Sequence, residues 1–181
     1  MTDFQERVLE RFAWVEGHAD VWRLFADGAL LRDLAASLAS PFADAGVTKV
    51  AGIEARGFIL GAVVATHLGS GFVAIRKEQG LFPGEKLSRR TAADYRGSES
   101  LLRLQRVAVE PDDRVLIVDD WVEVGSQALT AKKLVENAGG TYVGVSVLVD
   151  DTGDAVRALL EPFAALLRRE ALGDDLVRPQ R

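Results

Sequence analysis

The stretch that most constrains this chain is VLIVDDWVEVGSQALTA, residues 115–131. Four consecutive apolar residues, Val115 to Val118, run straight into two carboxylates, Asp119 and Asp120. An unbroken apolar run of this length, bounded by polar and turn signals, reads as a strand buried on both faces, the kind found in parallel sheets. A short loop, residues 121–127, follows, and a helical pattern opens at Gly125. In open α/β sheets ligands bind beyond the carboxyl ends of the strands, where this acidic pair stands. A loop that carries glycine into a helix start offers free backbone N–H groups and the positive end of the helix dipole. That is an anion site, and phosphate is its usual occupant.

The rest of the chain supports a doubly wound, mostly parallel α/β sheet. Phe4, Val8, Phe12 and Val15 recur at helical spacing and predict a leading helix. Residues 17–27 are turn-rich, and Leu30, Leu31, Leu34, Leu38 and Phe42 mark a second helix that ends near Pro41. Residues 47–54 read as a strand, 58–68 as an apolar helix and 72–76 as another buried strand. A polar stretch without periodicity, residues 77–97, follows; a loop this long in a compact domain is usually functional, often a lid. Residues 101–109 read as strand, and Pro111-Asp112-Asp113 as a turn. Asn137 to Gly140 closes the helix after the acidic pair, and residues 141–149 form a β-branched strand that ends at Asp150-Asp151. Strand and helix alternate at βαβ spacing, and Pro162 argues against a single helix over residues 154–169. The 181 residues read as a single domain.

Composition narrows the function. A net charge of −5 argues against a general nucleic-acid binder, and no apolar run is long enough to span a bilayer. The chain has no cysteine, which excludes thiolate chemistry and cysteine zinc sites and agrees with a cytoplasmic location. His18 and His67 stand too far apart to suggest a metal site or a triad. Lys132-Lys133 is expected on a solvated helix face, and Arg168-Arg169 on an exposed tail.

The acidic pair and its loop resemble the phosphoribosyl pyrophosphate (PRPP) motif of the type I phosphoribosyltransferases: a hydrophobic strand, D/E-D, two apolar residues, then A-T-G-G-T or D-T-G-K-T. The resemblance implies that Asp119 and Asp120 hold the ribose 2′ and 3′ hydroxyls, with Mg²⁺ reached indirectly through PRPP oxygens. It makes Glu123, Val124, Gly125, Ser126 and Gln127 the 5′-phosphate loop. Threonine is usual where Val124 stands, and Gln127 replaces a second threonine, so hydroxyl donors are fewer. The resemblance extends over residues 19–149 and is greatest to the adenine phosphoribosyltransferases. AGIEARGFILG, residues 51–61, is similar to their G-x-[ED]-[AS]-R-G-F-x-x-G segment, which implies that Arg56 and the backbone around Ala55 face pyrophosphate. Arg76-Lys77 matches a further R-K contact with pyrophosphate, and Lys86 is another cation available to it. Phe82-Pro83-Gly84 resembles the K-L-P-G lid, with Leu81 where lysine is expected, and Asp94-Tyr95 falls on the lid's E-Y pair. Val21-Trp22-Arg23 matches a V-F-R whose ring stacks on the purine, and indole offers a larger face than phenyl.

Together these imply an enzyme that moves a phosphoribosyl group from PRPP to a purine-like base, as a homodimer, with Glu123, Asp94 and Tyr95 in the catalytic role. Glu123 stands where hypoxanthine-guanine enzymes carry the Asp assigned as general base, whereas adenine enzymes commonly have Ala. Asp151 falls where the base edge is read. Its carboxylate only accepts hydrogen bonds, which favours adenine or an amino-bearing analogue over a 6-oxo base; the same residue also reads as part of a turn that caps the next helix. The altered loop leaves open a non-catalytic PRPP or nucleotide sensor, and transfer to a non-purine acceptor in specialised metabolism.

Overall fold

A computed structural model describes residues 1–78, 81–92 and 99–173. Helix α1 (Asp3–Arg11) opens on a capping box, in which the Thr2 hydroxyl accepts from the Gln5 N–H and the Gln5 side chain accepts from the Thr2 N–H. It stops earlier than its apolar spacing predicts. Phe12 is already extended, and Val15 belongs to a two-stranded hairpin, β1 (Trp14–Val15) with β2 (His18–Ala19), turned by Glu16 and Gly17 at positive φ. The turn-rich segment then holds a short helix, α2 (Trp22–Phe25). Helix α3 (Gly28–Ala39) follows, its first turn capped by the Asp27 carboxylate, which accepts from the Ala29 and Leu30 N–H groups.

The main sheet is built from β3 (Lys49–Ile53), β4 (Gly71–Lys77), β5 (Lys86–Arg90), β6 (Leu101–Gln105), β7 (Arg114–Val122), β8 (Thr141–Asp150) and β9 (Phe163–Arg168), in the order β5-β6-β4-β3-β7-β8-β9. The five strands from β4 to β9 are parallel; β6 and β5 add to the β4 side antiparallel. Parallel neighbours require crossovers, supplied by α4 (Arg56–Leu68), α5 (Ser126–Ala138) and α6 (Asp154–Leu159). Apolar clusters cover both faces. Leu34, Leu60, Val64, Leu116 and Val118 lie in one, and Ile75, Leu104, Ile117, Leu134 and Val147 in the other. Val115 to Val118 are fully buried, because a strand with a layer on each side has no wet face. Among the described residues no helix is long and apolar enough to cross a membrane.

Four sequence expectations change. The polar stretch after β4 is not all loop, since β5 lies within it and pairs with β6. Residues 101–109 are strand only to Gln105, after which Arg106–Ala108 forms a 3-10 turn. Arg168-Arg169 is not a free tail: Arg168 ends β9 and meets Asp150 at 3.2 Å, and the Arg169 guanidinium lies 4.5 Å over the Trp14 ring. Lys132 is also engaged, donating to the Leu159 carbonyl at 3.0 Å above the Tyr142 ring.

At the end of β8 the turn is organised by Asp150, not Asp151. Asp150 is 2% exposed and accepts from the Thr152 N–H and hydroxyl, from Arg157 Nε at 3.0 Å and, in an ion pair, from Arg157 Nη2 at 2.8 Å. Helix α6 follows with Gly153 at its N-cap and no side-chain cap. Burial pushes the Asp150 carboxyl up, but the Thr152 and Arg157 hydrogen bonds outweigh it and hold the group below the ordinary aspartate range. A depressed carboxylate adds stability above its unfolded pKa, and that stability is lost as pH falls through the folded value. Arg157→Ala should therefore lower Tm by several degrees at pH 7, clearly more than Arg168→Ala, whose side chain is mostly exposed. The gap between the two variants should close below pH 4. Thermal melts across pH test this.

Candidate active site

Strand order explains where the cavity lies. From β3 the chain crosses through α4 to β4 on one side, and it later returns to place β7 on the other. Beyond the carboxyl ends of β3 and β7 the following segments part, and the crevice between them is the topological switch point of the sheet. A cavity of about 270 Å³ opens there, lined by Glu54, Ala55 and Arg56 after β3, Lys77 at the end of β4, and residues 119–128.

The acidic pair is part of the strand, not beyond it. Strand β7 runs on to Val122, leaving Asp119 9% and Asp120 5% exposed. They are thus buried, where the sequence placed them at an open strand end. Leu116, Val118 and Trp121 pack into one cluster while Val115, Ile117 and Val122 pack into the other, so strict alternation slips once across the pair. Both carboxylates consequently border one cavity. Asp119 Oδ1 accepts from the Asp120 N–H at 2.9 Å, and Asp120 Oδ2 lies 3.1 Å from Arg56 Nε in an ion pair without hydrogen-bond alignment. Burial first, and the neighbouring Asp120 charge second, push the Asp119 carboxyl well above its ordinary range. The pair fits under α4 because residue 57 is glycine. A Cβ there would stand 2.7 Å from Asp119 Oδ1.

The loop after β7 shortens to Glu123–Gly125, and α5 starts at Ser126. Gly125 is required twice over: its φ is +71°, and a Cβ would meet Val156 Cγ1 of α6 at 2.3 Å. Neither α4 nor α5 has a side-chain cap, and both N-termini line the cavity. Uncapped helix starts present backbone N–H donors and positive dipole ends, so each of the two can accept an anion beside the acidic pair. The Val124 and Gln127 replacements leave the backbone part of the α5 site intact, and Ser126 and Gln127 still line it.

Of the remaining candidates, Ala55, Arg56, Lys77, Glu123 and Val124 also line the cavity. Arg76 does not. Its guanidinium reaches Glu54 Oε1 at 3.1 Å and the Leu81 carbonyl at 2.7 Å, and lies over the Phe82 ring. Glu54 also accepts from the Lys77 N–H at 2.9 Å, and these bonds outweigh burial to hold its carboxyl below the usual range. Lys86 donates to the Gly84 carbonyl. Val21 is buried, Trp22 is 51% exposed and packs edge-to-face on Phe25, and Arg23 pairs with Asp20; none of the three lines the cavity. Asp151 Oδ2 accepts from Trp121 Nε1 at 3.3 Å and is likewise absent from the lining. Asp94 and Tyr95 lie outside the described residues. Trp121, Val122 and Ala128 line the cavity but were not singled out from the sequence, although the place of Trp121 directly after the acidic pair was a signal.

A buried carboxylate whose folded pKa is raised weakens the fold as pH rises, because the native state holds the proton longer than the unfolded chain. Asp119→Asn removes that charge at nearly constant shape. It should raise Tm at pH 8, and the gain should shrink as pH falls toward the ordinary aspartate range. Equal Tm for variant and wild type at pH 8 would show that burying the charge does not strain the fold.

The phosphoribosyl transferase domain model matches residues 24–159. Adenine phosphoribosyltransferase of Bradyrhizobium sp. (strain BTAi1) is 41% identical over 155 residues, 83% of this chain and 85% of that protein. The Streptomyces clavuligerus adenine phosphoribosyltransferase is 40% identical, with 82% of each chain covered. The crystal structure of the Rhodothermus marinus adenine phosphoribosyltransferase superposes with a TM-score of 0.81 at 32% identity, covering 91% of this chain and 98% of that one. The Giardia lamblia enzyme, complexed with 9-deazaadenine, gives 0.81 at 28% identity, covering 92% and 98%. With the motif, the switch-point cavity and these likenesses in agreement, the chain belongs to the phosphoribosyltransferase family and is similar over most of its length to adenine phosphoribosyltransferases.

Proposed function

We propose that the protein transfers the 5-phosphoribosyl group of PRPP to adenine, giving AMP and pyrophosphate. The observation that carries this is a cavity that holds an acidic pair between two uncapped helix N-termini. PRPP has the same order: a 5′-phosphate, a ribose diol and a pyrophosphate. The α5 N-terminus with Ser126 and Gln127 takes the 5′-phosphate. Asp119 and Asp120 accept from the ribose 2′ and 3′ hydroxyls. The α4 N-terminus, the Ala55 backbone, Arg56 and Lys77 take the pyrophosphate.

In the reaction a base nitrogen attacks C1′, and the bond from C1′ to the pyrophosphate oxygen breaks with inversion. The electron pair leaves on pyrophosphate, and the base gives up its N–H proton. An oxocarbenium-like centre of this kind needs held reactants, a stabilised leaving group and little water. Arg56 and Lys77 offset charge that grows on the leaving group. Glu123, on the cavity wall after the ribose pair, takes the proton. In this reading the polar segment that follows β4 keeps water from the reacting centre. In this scheme Arg76 serves by fixing Glu54, and so the Lys77 backbone, beside the leaving group.

Mg²⁺ fits the residues present. The described residues hold no cluster of three or more His, Cys, Asp or Glu able to cage a metal. The cavity instead offers two carboxylates, and Asp120 Oδ2 is a buried oxygen without a hydrogen bond. An all-oxygen, ligand-poor set suits an ion that takes most of its ligands from substrate and water. When bound, Mg²⁺ neutralises pyrophosphate charge. The family resemblance further supports a cytoplasmic homodimer.

Incubation with PRPP, Mg²⁺ and adenine, hypoxanthine or guanine should release pyrophosphate fastest with adenine. Binding of PRPP by calorimetry without turnover of any base would make the protein a sensor instead. Glu123→Gln keeps size but accepts no proton at neutral pH, and should lower kcat by roughly 10²-fold with the KM for PRPP little changed. Equal turnover of wild type and variant would remove Glu123 from the chemistry.

A further inference from the structure

We infer that Arg103 is a positioning residue: from β6 it holds the Lys77 carbonyl, and so fixes where the Lys77 ammonium stands against the leaving pyrophosphate. The inference rests on the proposed transfer reaction and concerns a side chain that touches no substrate. Lys77 is the last residue of β4 and lines the cavity, whereas Arg103 is absent from the described lining.

The need for such a residue follows from strand lengths. Strand β3 ends at Ile53, opposite Ile75, and the Glu54 N–H donates to the Ile75 carbonyl as the last rung on that side. Lys77 lies two residues further on, past the end of that ladder. Side chains take its backbone groups instead. Its N–H donates to Glu54 Oε2 at 2.9 Å, and its carbonyl accepts from Arg103 Nη2 at 2.9 Å. With the planar peptides on both sides of Lys77 held, its two backbone torsions are fixed, and with them the direction in which the side chain leaves. Both holds are braced. Arg76 Nη2 donates to Glu54 Oε1 at 3.1 Å, and Arg103 stands between Leu102 and Leu104, both fully buried, which anchor its strand. The register adds a second argument. Arg103 lies directly opposite Arg76 of β4, and like charges so placed weaken a sheet. Stability alone would disfavour that pairing. The two guanidiniums part: Arg76 turns to Glu54 and the Leu81 carbonyl, and Arg103 to the Lys77 carbonyl. A charged donor makes the stronger hydrogen bond, and a guanidinium keeps its charge at any working pH.

Variants at the two residues test this. Arg103→Met keeps the stem without a donor, and Arg103→Lys keeps a charged donor of similar reach. Arg103→Met should weaken inhibition by pyrophosphate roughly tenfold and lower kcat/KM for PRPP by a similar factor, with the KM for adenine within about twofold of wild type. Arg103→Lys should recover most of both. Lys77→Met should lose more than Arg103→Met, and adding Arg103→Met to it should cost nothing further, because the placing of an absent ammonium no longer matters. A general loosening of the fold would instead lower Tm and disturb adenine and pyrophosphate alike. Should Arg103→Met fail to fold in a thermal melt, Arg103→Gln, whose amide ends short of the carbonyl, carries the test with the same selective loss. Unchanged pyrophosphate inhibition in the folded variant, additive losses in the double variant, or Arg103→Lys as damaged as Arg103→Met would overturn the inference. A wild type that binds pyrophosphate with Mg²⁺ in calorimetry but forms no AMP overturns the proposed reaction alone, and the same variants are then ranked by pyrophosphate affinity. A wild type that binds no pyrophosphate overturns both.

Discussion

Everything at this site depends on keeping two like charges side by side inside a strand. Asp119 and Asp120 are both nearly buried, and in the low dielectric of a sheet interior their repulsion is far stronger than in water. What makes the arrangement tolerable is local. The Arg56 guanidinium faces Asp120, the Asp120 N–H is turned onto Asp119, and the missing side chain at Gly57 lets the pair sit beneath the start of α4. The remaining strain is relieved by anything that brings hydroxyl donors or cations to those oxygens. The polyol with bound cations proposed as substrate would be such a partner.

The sheet supplies the other half of the arrangement. Because β3 and β7 are neighbours whose crossovers leave in opposite directions, two helix starts are aimed at one crevice without any long-range adjustment. Supporting contacts then come from elements remote in sequence. Glu54 couples the end of β3 to Arg76 and Lys77 of β4, and Val156 of α6 packs against the glycine that opens α5. Of these, Arg76 and Val156 lie off the cavity but decide where its walls stand.

Much of this was legible in the residues. The Val115–Val118 run ending in two acids specifies a buried parallel strand and a site at its end, because no half-wet strand tolerates four apolar residues in a row. The segment at residues 51–61 likewise announces a strand, a tight approach and a helix. What escaped was decided by tertiary contact. FAALLR in β9 has neither alternation nor β-branched residues, and it is a strand because β8 offers it a ladder. KLSRR in β5 is too charged to read as strand, but its pairing with β6 leaves those charges in solvent. Val15 follows the helical period of α1 and is claimed instead by a hairpin. In the site, the acids and the glycine loop could be read off directly. The engagement of Asp151 with Trp121, and of Arg76 with Glu54, could not, since both are pairings across strands.

Strand β5 has one more consequence, at the far border of the sheet. Among the described residues it is the outermost strand on that side, so one row of its backbone N–H and C=O groups has no ladder partner there. Such a border is a template on which a second chain could add a strand. Three of its five residues, Lys86, Arg89 and Arg90, are cationic, and an approaching copy of the same strand would bring three more. The border is guarded by its own charge against sheet growth, and the open side of a largely apolar sheet is kept from seeding aggregation.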